Sequence, residues 1–241
     1  LVRSGEITGG SRSVQIGGTN VWRAAGVVAD KARQIAARLL EASVEDIVLE
    51  DGRFHVVGTP SVTRSWTDVI ATAMAMGERL DGEGDFTQAS GTFPSGAHLA
   101  VVEVDIETGK VKLREMFAVD DAGCIVNTLL AEGQVHGGLA QGIGQALYEE
   151  FIYDADGNPL TGNFADYGFP SAAEVPSFVT IHMESPSPMN DLGAKGIGES
   201  GTIGATPAVQ NAVVDAVSYL GVRHIDMPCT AERVWQALHS C

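Results

Sequence analysis

Cysteine is scarce in this sequence. Its 241 residues hold three, Cys124, Cys229 and Cys241, an odd number with no CxxC spacing. That argues against a disulfide framework and against a cysteine-held zinc or iron–sulfur centre, and it fits a reducing cytoplasm. Hydrophobic runs are short as well. None approaches the roughly 18 consecutive apolar residues that mark a membrane-spanning helix, so membrane insertion is not expected. Basic residues are few: 15 against 31 acidic ones, for a net charge of −16. A surface that negative repels nucleic-acid phosphate and anionic lipid, so neither is an expected partner. The acidic residues are spread and not blocked, the pattern of a solvated surface. The first residues, LVRSGEITGG, show neither the basic n-region nor the apolar h-region of a secretory signal.

What is present suits a globular protein with a real core. The composition is 44% hydrophobic and 19% charged, and the length allows one large domain or two small ones. Residues 4–19 are rich in Gly, Ser and Thr and read as loop. A helix is predicted over roughly 20–42, with Val21, Ala25, Val28, Ala32, Ile35 and Leu39 forming one apolar stripe. Two β-branched runs around Asp51-Gly52 predict a hairpin. A shorter helix is predicted over 63–77, stopping at Gly77. Two strands follow within 98–120, joined at residues 107–110. Thr128 to Glu150 has helical hydrophobic spacing but carries five glycines, each costing about 1 kcal/mol against Ala in a helix interior. Gly133 and Gly137 share one helical face, as do Gly138 and Gly142. Small residues there serve either tight helix packing or close approach of a bound group. A hairpin at Asp156-Gly157, a strand over 176–185 and a Pro- and Gly-rich loop over 186–205 come next. Thr206-Pro207 reads as N-cap and first residue of a long helix, and a last short helix begins near Thr230. Helices and hairpins alternate without a regular βαβ rhythm, so the fold class is α+β.

The most informative segment is LGAKGIGESGTIGATP, Leu192 to Pro207, in which five glycines surround one acidic residue, Glu199. Gly196, Gly198 and Gly201 spell GxGxxG. A dinucleotide fingerprint, however, follows a strand directly, opens a helix and has an acidic residue at a later strand end. Pro, Met and Asn precede this loop, and Asp215 falls inside a predicted helix, so the dinucleotide reading fails on context. An anion nest near a helix N-terminus is a second reading, opposed by the charge of Glu199. A third is a backbone that wraps closely around a bulky group while presenting one carboxylate to it as a general base. A plain Gly-rich loop with an exposed Glu also remains open on spacing alone.

GAKGIGESGTIGATPAVQNAVVDAV closely resembles the active-site loop of the molybdenum hydroxylases, the family of xanthine dehydrogenase, aldehyde oxidase and the aerobic carbon monoxide dehydrogenase large subunit. TGGSRSVQIGGTNVWRAA is similar to the family's pterin-contacting loop and following helix. GQVHGGLAQGIGQALYEE resembles a cofactor-lining helix, and DADGNPLTGNFADYGFP and HIDMPCTAERVWQAL resemble the family's distal segments. The blocks run in the family's order from near residue 5 to the end.

The resemblance implies roles residue by residue. Glu199 matches the glutamate that acts as catalytic base. Gln134 matches a glutamine that hydrogen-bonds the cofactor near the metal. Gly10, Ser11 and Ser13 match the loop that holds the pterin, and Gly196 and Gly198 the glycines that let the active-site loop approach it. No side chain is expected to ligate molybdenum, which the pterin's own dithiolene holds. His136 reads as packing or hydrogen-bonded surface, and Cys124 as structural. The resemblance further implies that 1–241 is the C-terminal part of a molybdopterin-binding domain, with helices packed on mostly antiparallel sheets. Its expected partners are the N-terminal part of that subunit, an iron–sulfur subunit, an FAD subunit and a small-molecule substrate. A cytosine-dinucleotide form of the pterin is common in the bacterial branch that the blocks resemble. The substrate classes implied are aldehydes, N-heterocycles and CO, and one segment of the subunit alone is expected to be catalytically silent. A scaffold or assembly module that kept the fold without the chemistry is the alternative.

Overall fold

The structure, a computed structural model, describes residues 7–240, which form two compact units: 16–89, and 7–15 together with 90–240. Residues 4–6 of the Gly-rich segment and Cys241 lie outside the described residues.

In the first unit, helix α1 (Thr19–Leu40) and helix α2 (Trp66–Met76) accompany a sheet of three antiparallel strands, β1 (Ile47–Glu50), β2 (Arg53–Val56) and β3 (Thr59–Ser65), in that order. The Asp51-Gly52 turn joins β1 to β2 as its sequence predicts. The core gathers Ala32, Ile35, Ala36, Ile47, Phe54, Val69 and Ala73, with Trp66 edge-on to Phe54 at 4.9 Å. Only the second half of the α1 stripe is buried, and Val21 is exposed. Two boundaries differ from the sequence reading. A π-helical segment, Val14–Gly18, precedes α1 where loop was expected. Residues 63–65 belong to β3, and α2 begins only after Ser65, whose side chain caps the helix in a reciprocal box with Asp68. Pro60 is tolerated in β3 because that strand lies at the sheet edge.

In the second unit, β4 (Ser95–Val104) and β5 (Val111–Asp121) form an antiparallel hairpin, and β6 (Phe178–Met183) adds to β5 in parallel. The fold is thus α+β with mostly antiparallel sheets. Helices α3 (Thr128–Leu147) and α4 (Ser200–Val217) lie against each other and one face of this sheet, and α5 (Ala231–His239) closes the core. Of the Asp156-Gly157 hairpin only a single bridge forms, between Tyr153 and Pro159.

Helix α4 starts six residues before the Thr206-Pro207 signal, and Pro207 lies within the helix. Thr206 is turned to other work: its hydroxyl donates to the carbonyls of Thr202 (3.1 Å) and Gly142 (3.4 Å). The lost Pro207 N–H costs α4 one helical bond, and packing against α3 offsets it. That packing is backbone to backbone. A methyl group on Gly201 would sit 2.6 Å from the Val135 carbonyl oxygen, and one on Gly142 2.8 Å from Ala205 Cβ. Across the same seam the Thr202 hydroxyl donates to the Gly138 carbonyl at 3.0 Å. Gly138 and Gly142 therefore serve helix packing, whereas Gly133 and Gly137 have nothing within 4 Å of such a methyl group.

Glycines packed in the seam and glycines open to solvent should respond oppositely to substitution. Gly201→Ala is expected to destabilise the protein by about 1–3 kcal/mol through overpacking. Gly133→Ala should stabilise it by up to about 1 kcal/mol from helix propensity. Urea unfolding midpoints of the two variants measure both, and equal shifts would contradict the packing assignment.

Candidate functional site

The segment from Pro186 to Glu199 has no regular structure, yet its base is tied down at many points. The Gly193 carbonyl accepts from Cys124 N–H (3.0 Å) and Ser187 N–H (2.9 Å), and Lys195 N–H donates to the Ala122 carbonyl (2.7 Å). The Asn190 side chain spans the turn, donating to the Ala194 carbonyl (2.8 Å) and accepting from Ala194 N–H (3.1 Å). Beneath these bonds lies an ion pair, Lys195 Nζ to Asp121 Oδ2 at 3.1 Å, with both side chains largely buried. Asp121 Oδ1 also accepts from the N–H groups of Gly123 (2.9 Å) and Ser185 (3.1 Å). Burial opposes ionisation of Asp121, but the donors from Gly123, Ser185 and Lys195 outweigh it and hold the carboxyl well below the usual range.

The free end of the segment meets two others. Gly10 and Ser11 both adopt positive φ, +61° and +52°. For Ser11 that conformation costs about 1–2 kcal/mol. It is held by the buried Gln15, whose Nε2 donates to the Ser11 carbonyl (3.1 Å) while its Oε1 accepts from the Thr92 hydroxyl (2.8 Å). The turn brings Ser11 against the glycines. A methyl group on Gly196 would lie 2.7 Å from Ser11 Cβ, so any side chain there collides. One on Gly198 would lie 3.0 Å from Ser11 Oγ and 3.3 Å from Gln134 Oε1 of α3. Ser11, Gln134, Gly196 and Gly198, distant in sequence, thus converge beside Glu199.

Glu199 occupies the N-cap position of α4 but makes no side-chain capping bond, and it is exposed. Gly10 adjoins Ser11, with open space where a side chain would stand. Ser13 is less directly involved, since its hydroxyl donates to the Thr8 hydroxyl at 3.1 Å within its own loop. His136 is edge-on to Phe178, ring centroids 5.5 Å apart. Cys124 packs on the turn, and a methyl group on Gly193 would lie 2.9 Å from its sulfur. Cys229 is buried, and burial pushes its thiol up against the opposing influence of Arg233.

Chemically, the convergence offers a hydroxyl, a carboxamide, glycine-exposed backbone and one unengaged carboxylate. The open surface at Gly133 and Gly137 adjoins Gln134. Such a set fits a polar group that must lie close to the backbone, as a pterin does, and supplies hydrogen bonds to it without side-chain bulk. Sequence reasoning missed Gln15, Asp121 and Lys195. Nothing local marks them, because Lys195 and Asp121 lie 74 residues apart and Gln15 and Thr92 lie 77 apart.

The depressed Asp121 titration carries a sign. Its stabilising contribution is complete above the unfolded carboxylate value, about 3.9, and is lost as pH falls through the lower folded value. Asp121→Asn should cost about 3–5 kcal/mol near neutrality by stranding Lys195. It should also flatten the decline in stability between about pH 4 and pH 2. Denaturant titrations at a series of pH values test this, and an unchanged acid limb would refute it.

Comparison with known proteins gives the family. The family description "Molybdopterin cofactor-binding domain" matches residues 1–176. The carbon monoxide dehydrogenase large chain of Hydrogenophaga pseudoflava is 39% identical over 96% of this chain and 29% of its own length. The nicotine 6-hydroxylase large subunit of Paenarthrobacter nicotinovorans is 42% identical over 97% of this chain and 30% of its own. Among solved structures, CO dehydrogenase from Oligotropha carboxidovorans gives a TM-score of 0.87 at 36% identity, covering 97% of this chain and 30% of that one. The chain spans about three-tenths of the length of these relatives. Its sequence blocks, its α+β fold and these matches establish that the chain belongs to the molybdenum hydroxylase family, the molybdopterin-binding large subunits of the xanthine dehydrogenase and carbon monoxide dehydrogenase type.

Proposed function

We propose that this chain forms the C-terminal part of the molybdenum–pterin site of a cytoplasmic hydroxylase, with Glu199 as the catalytic base. The observation that carries the reading is the convergence of Ser11, Gln134 and Gly198 from three separate segments beside that one unengaged carboxylate. When bound, the molybdenum–pterin group supplies two-electron redox chemistry and activates an oxygen derived from water.

The chain's own residues then bind, orient and move a proton. Ser11 Oγ and the Gln134 carboxamide would hydrogen-bond the polar cofactor, Gly10 and Gly198 would let it lie close to the backbone, and Gly196 makes room for Ser11. Ser13 braces the loop through Thr8. Glu199 accepts a proton on its carboxylate as the new carbon–oxygen bond forms, which requires hydrogen-bond reach to the donor. The bonds from Asp121, Lys195 and Asn190 fix the segment that carries it. A base displaced by 1 Å loses much of its effect.

The substrate class is an aldehyde, an N-heterocycle or CO, with electrons leaving to iron–sulfur and FAD subunits. The pterin is assigned its cytosine-dinucleotide form. CO and an N-heterocycle follow the names of two relatives, a carbon monoxide dehydrogenase and a nicotine hydroxylase; the aldehyde, the partner subunits and the dinucleotide form follow the family resemblance of the sequence blocks. The rest of the large subunit is needed to complete the site, so this chain alone is expected to be inactive.

In the assembled enzyme, Glu199→Gln should retain molybdenum and pterin while kcat falls by about 10²–10⁴-fold, the range for loss of general-base catalysis. Metal analysis alongside steady-state kinetics provides both readouts. Turnover at the wild-type rate would remove Glu199 from the mechanism. An assembly that carries no molybdenum would favour a non-catalytic scaffold.

A further inference from the structure

Among the described residues, the sheet of the second unit is covered on one face only. Helices α3 and α4 take the side bearing Ala100, Met116 and Phe178. Strand register sets the composition of the other side. Leu99, Phe117 and Val179 form one cross-strand row, and Ala97, Val119 and Ile181 the next, with Met183 beyond them on β6. Leu99 is 56% exposed, Val179 46%, Ile181 54% and Met183 55%, while Phe117 and Val119 are half-buried between them. This gives a continuous apolar surface across three strands of a chain whose net charge is −16.

Of the charged groups on that side Glu115, opposite Val101, lies nearest, one row from Leu99 and Phe117, and the others stand at the margins. Glu103 and Arg114 pair with each other at the hairpin end, beside Lys112, and Asp121 at the opposite end is engaged with Lys195. An apolar centre bordered by charge is the layout of a buried interface. Apolar patches of this kind mark contact sites.

We infer that this face is the seat of the remaining polypeptide of the large subunit, which lays an apolar layer across Leu99, Phe117, Val119, Val179 and Ile181. The length of the relatives identifies the occupant: about seven-tenths of each lies outside the span that this chain matches. The inference rests on the function proposed above. It adds where the missing polypeptide binds and makes its contact apolar, not electrostatic.

The test places a photo-cross-linking phenylalanine analogue at Ile181, and separately at Leu99, in the chain expressed in its native host. Both positions are exposed, so the fold tolerates the probe. After irradiation, mass spectrometry is expected to find the probe joined to a peptide that matches the unspanned part of molybdopterin-binding large subunits, at least tenfold above the unirradiated control. Joining to a second copy of this chain, to an iron–sulfur or FAD subunit, or to nothing would overturn the assignment. Molybdenum analysis of the same preparation separates the two levels. Metal present with the probe joined elsewhere defeats only the docking face, whereas absence of metal in every complex defeats the functional reading as well.

Discussion

The contact on which the second unit depends is the seam between α3 and α4, where backbone meets backbone. Gly138 and Gly142 on one helix face Gly201 and Ala205 on the other, with no room for an added methyl group at Gly142 or Gly201 and little at Gly138. Glycine weakens an isolated helix; here that weakness is offset by burial of the adjoining Val135, Leu139, Ile143, Val209 and Val213. Close approach also lets the Thr202 and Thr206 hydroxyls cross to carbonyls of α3. The functional consequence follows from helix geometry. Gln134 precedes Gly138 by about one turn, and Glu199 precedes Gly201 by two residues, so the seam that packs the helices also juxtaposes the carboxamide and the carboxylate.

The segment that presents Glu199 divides its labour along its length. Its base is rigid: Asn190 bridges its own turn, and Lys195 reaches a buried carboxylate on β5. Its tip is spare, with glycines where the Ser11 loop presses in. A site of this kind is held by supporting groups that never touch the reactants. Within the site Ser11 carries the backbone strain, and its positive φ persists because Gln15 grips its carbonyl from a buried position. A non-glycine residue in that conformation turns its side chain where an ordinary loop residue would not.

Several features of the second unit are costly in isolation: a proline inside α4, a buried ion pair, and a His98–Asp120 contact at 3.2 Å that leaves His98 Nδ1 and Asp120 Oδ2 without hydrogen-bond partners. Gly204 of α4 lies directly over His98, where a methyl group would sit 2.2 Å from Nδ1. These costs lie along α4, on β4 and β5 and in the segment before α4, while the first unit also buries one unpartnered hydroxyl, that of Thr19. Departures from the cheapest packing concentrate where a chain carries function.

Local patterns in the sequence determined most of the elements, because their physics is local. Asp51-Gly52 makes its turn, Gly77 ends α2 in a left-handed cap, and Thr230 caps α5 through Arg233 N–H. Glycine density and a lone Glu199 marked the loop, and family resemblance added Gln134 and Ser11. Tertiary structure decided the rest. Thr206-Pro207 carries a valid helix-start signal, yet α4 begins at Ser200, because packing on α3 outweighs the lost proline bond. Which glycine pair packs and which stays open depends on where α4 lies, and helical spacing is the same for both. Asp121 with Lys195, and Gln15 with Thr92, meet only after more than 70 residues of chain have folded between them. No local pattern encodes such a meeting, since its energy exists only once both partners have left water together.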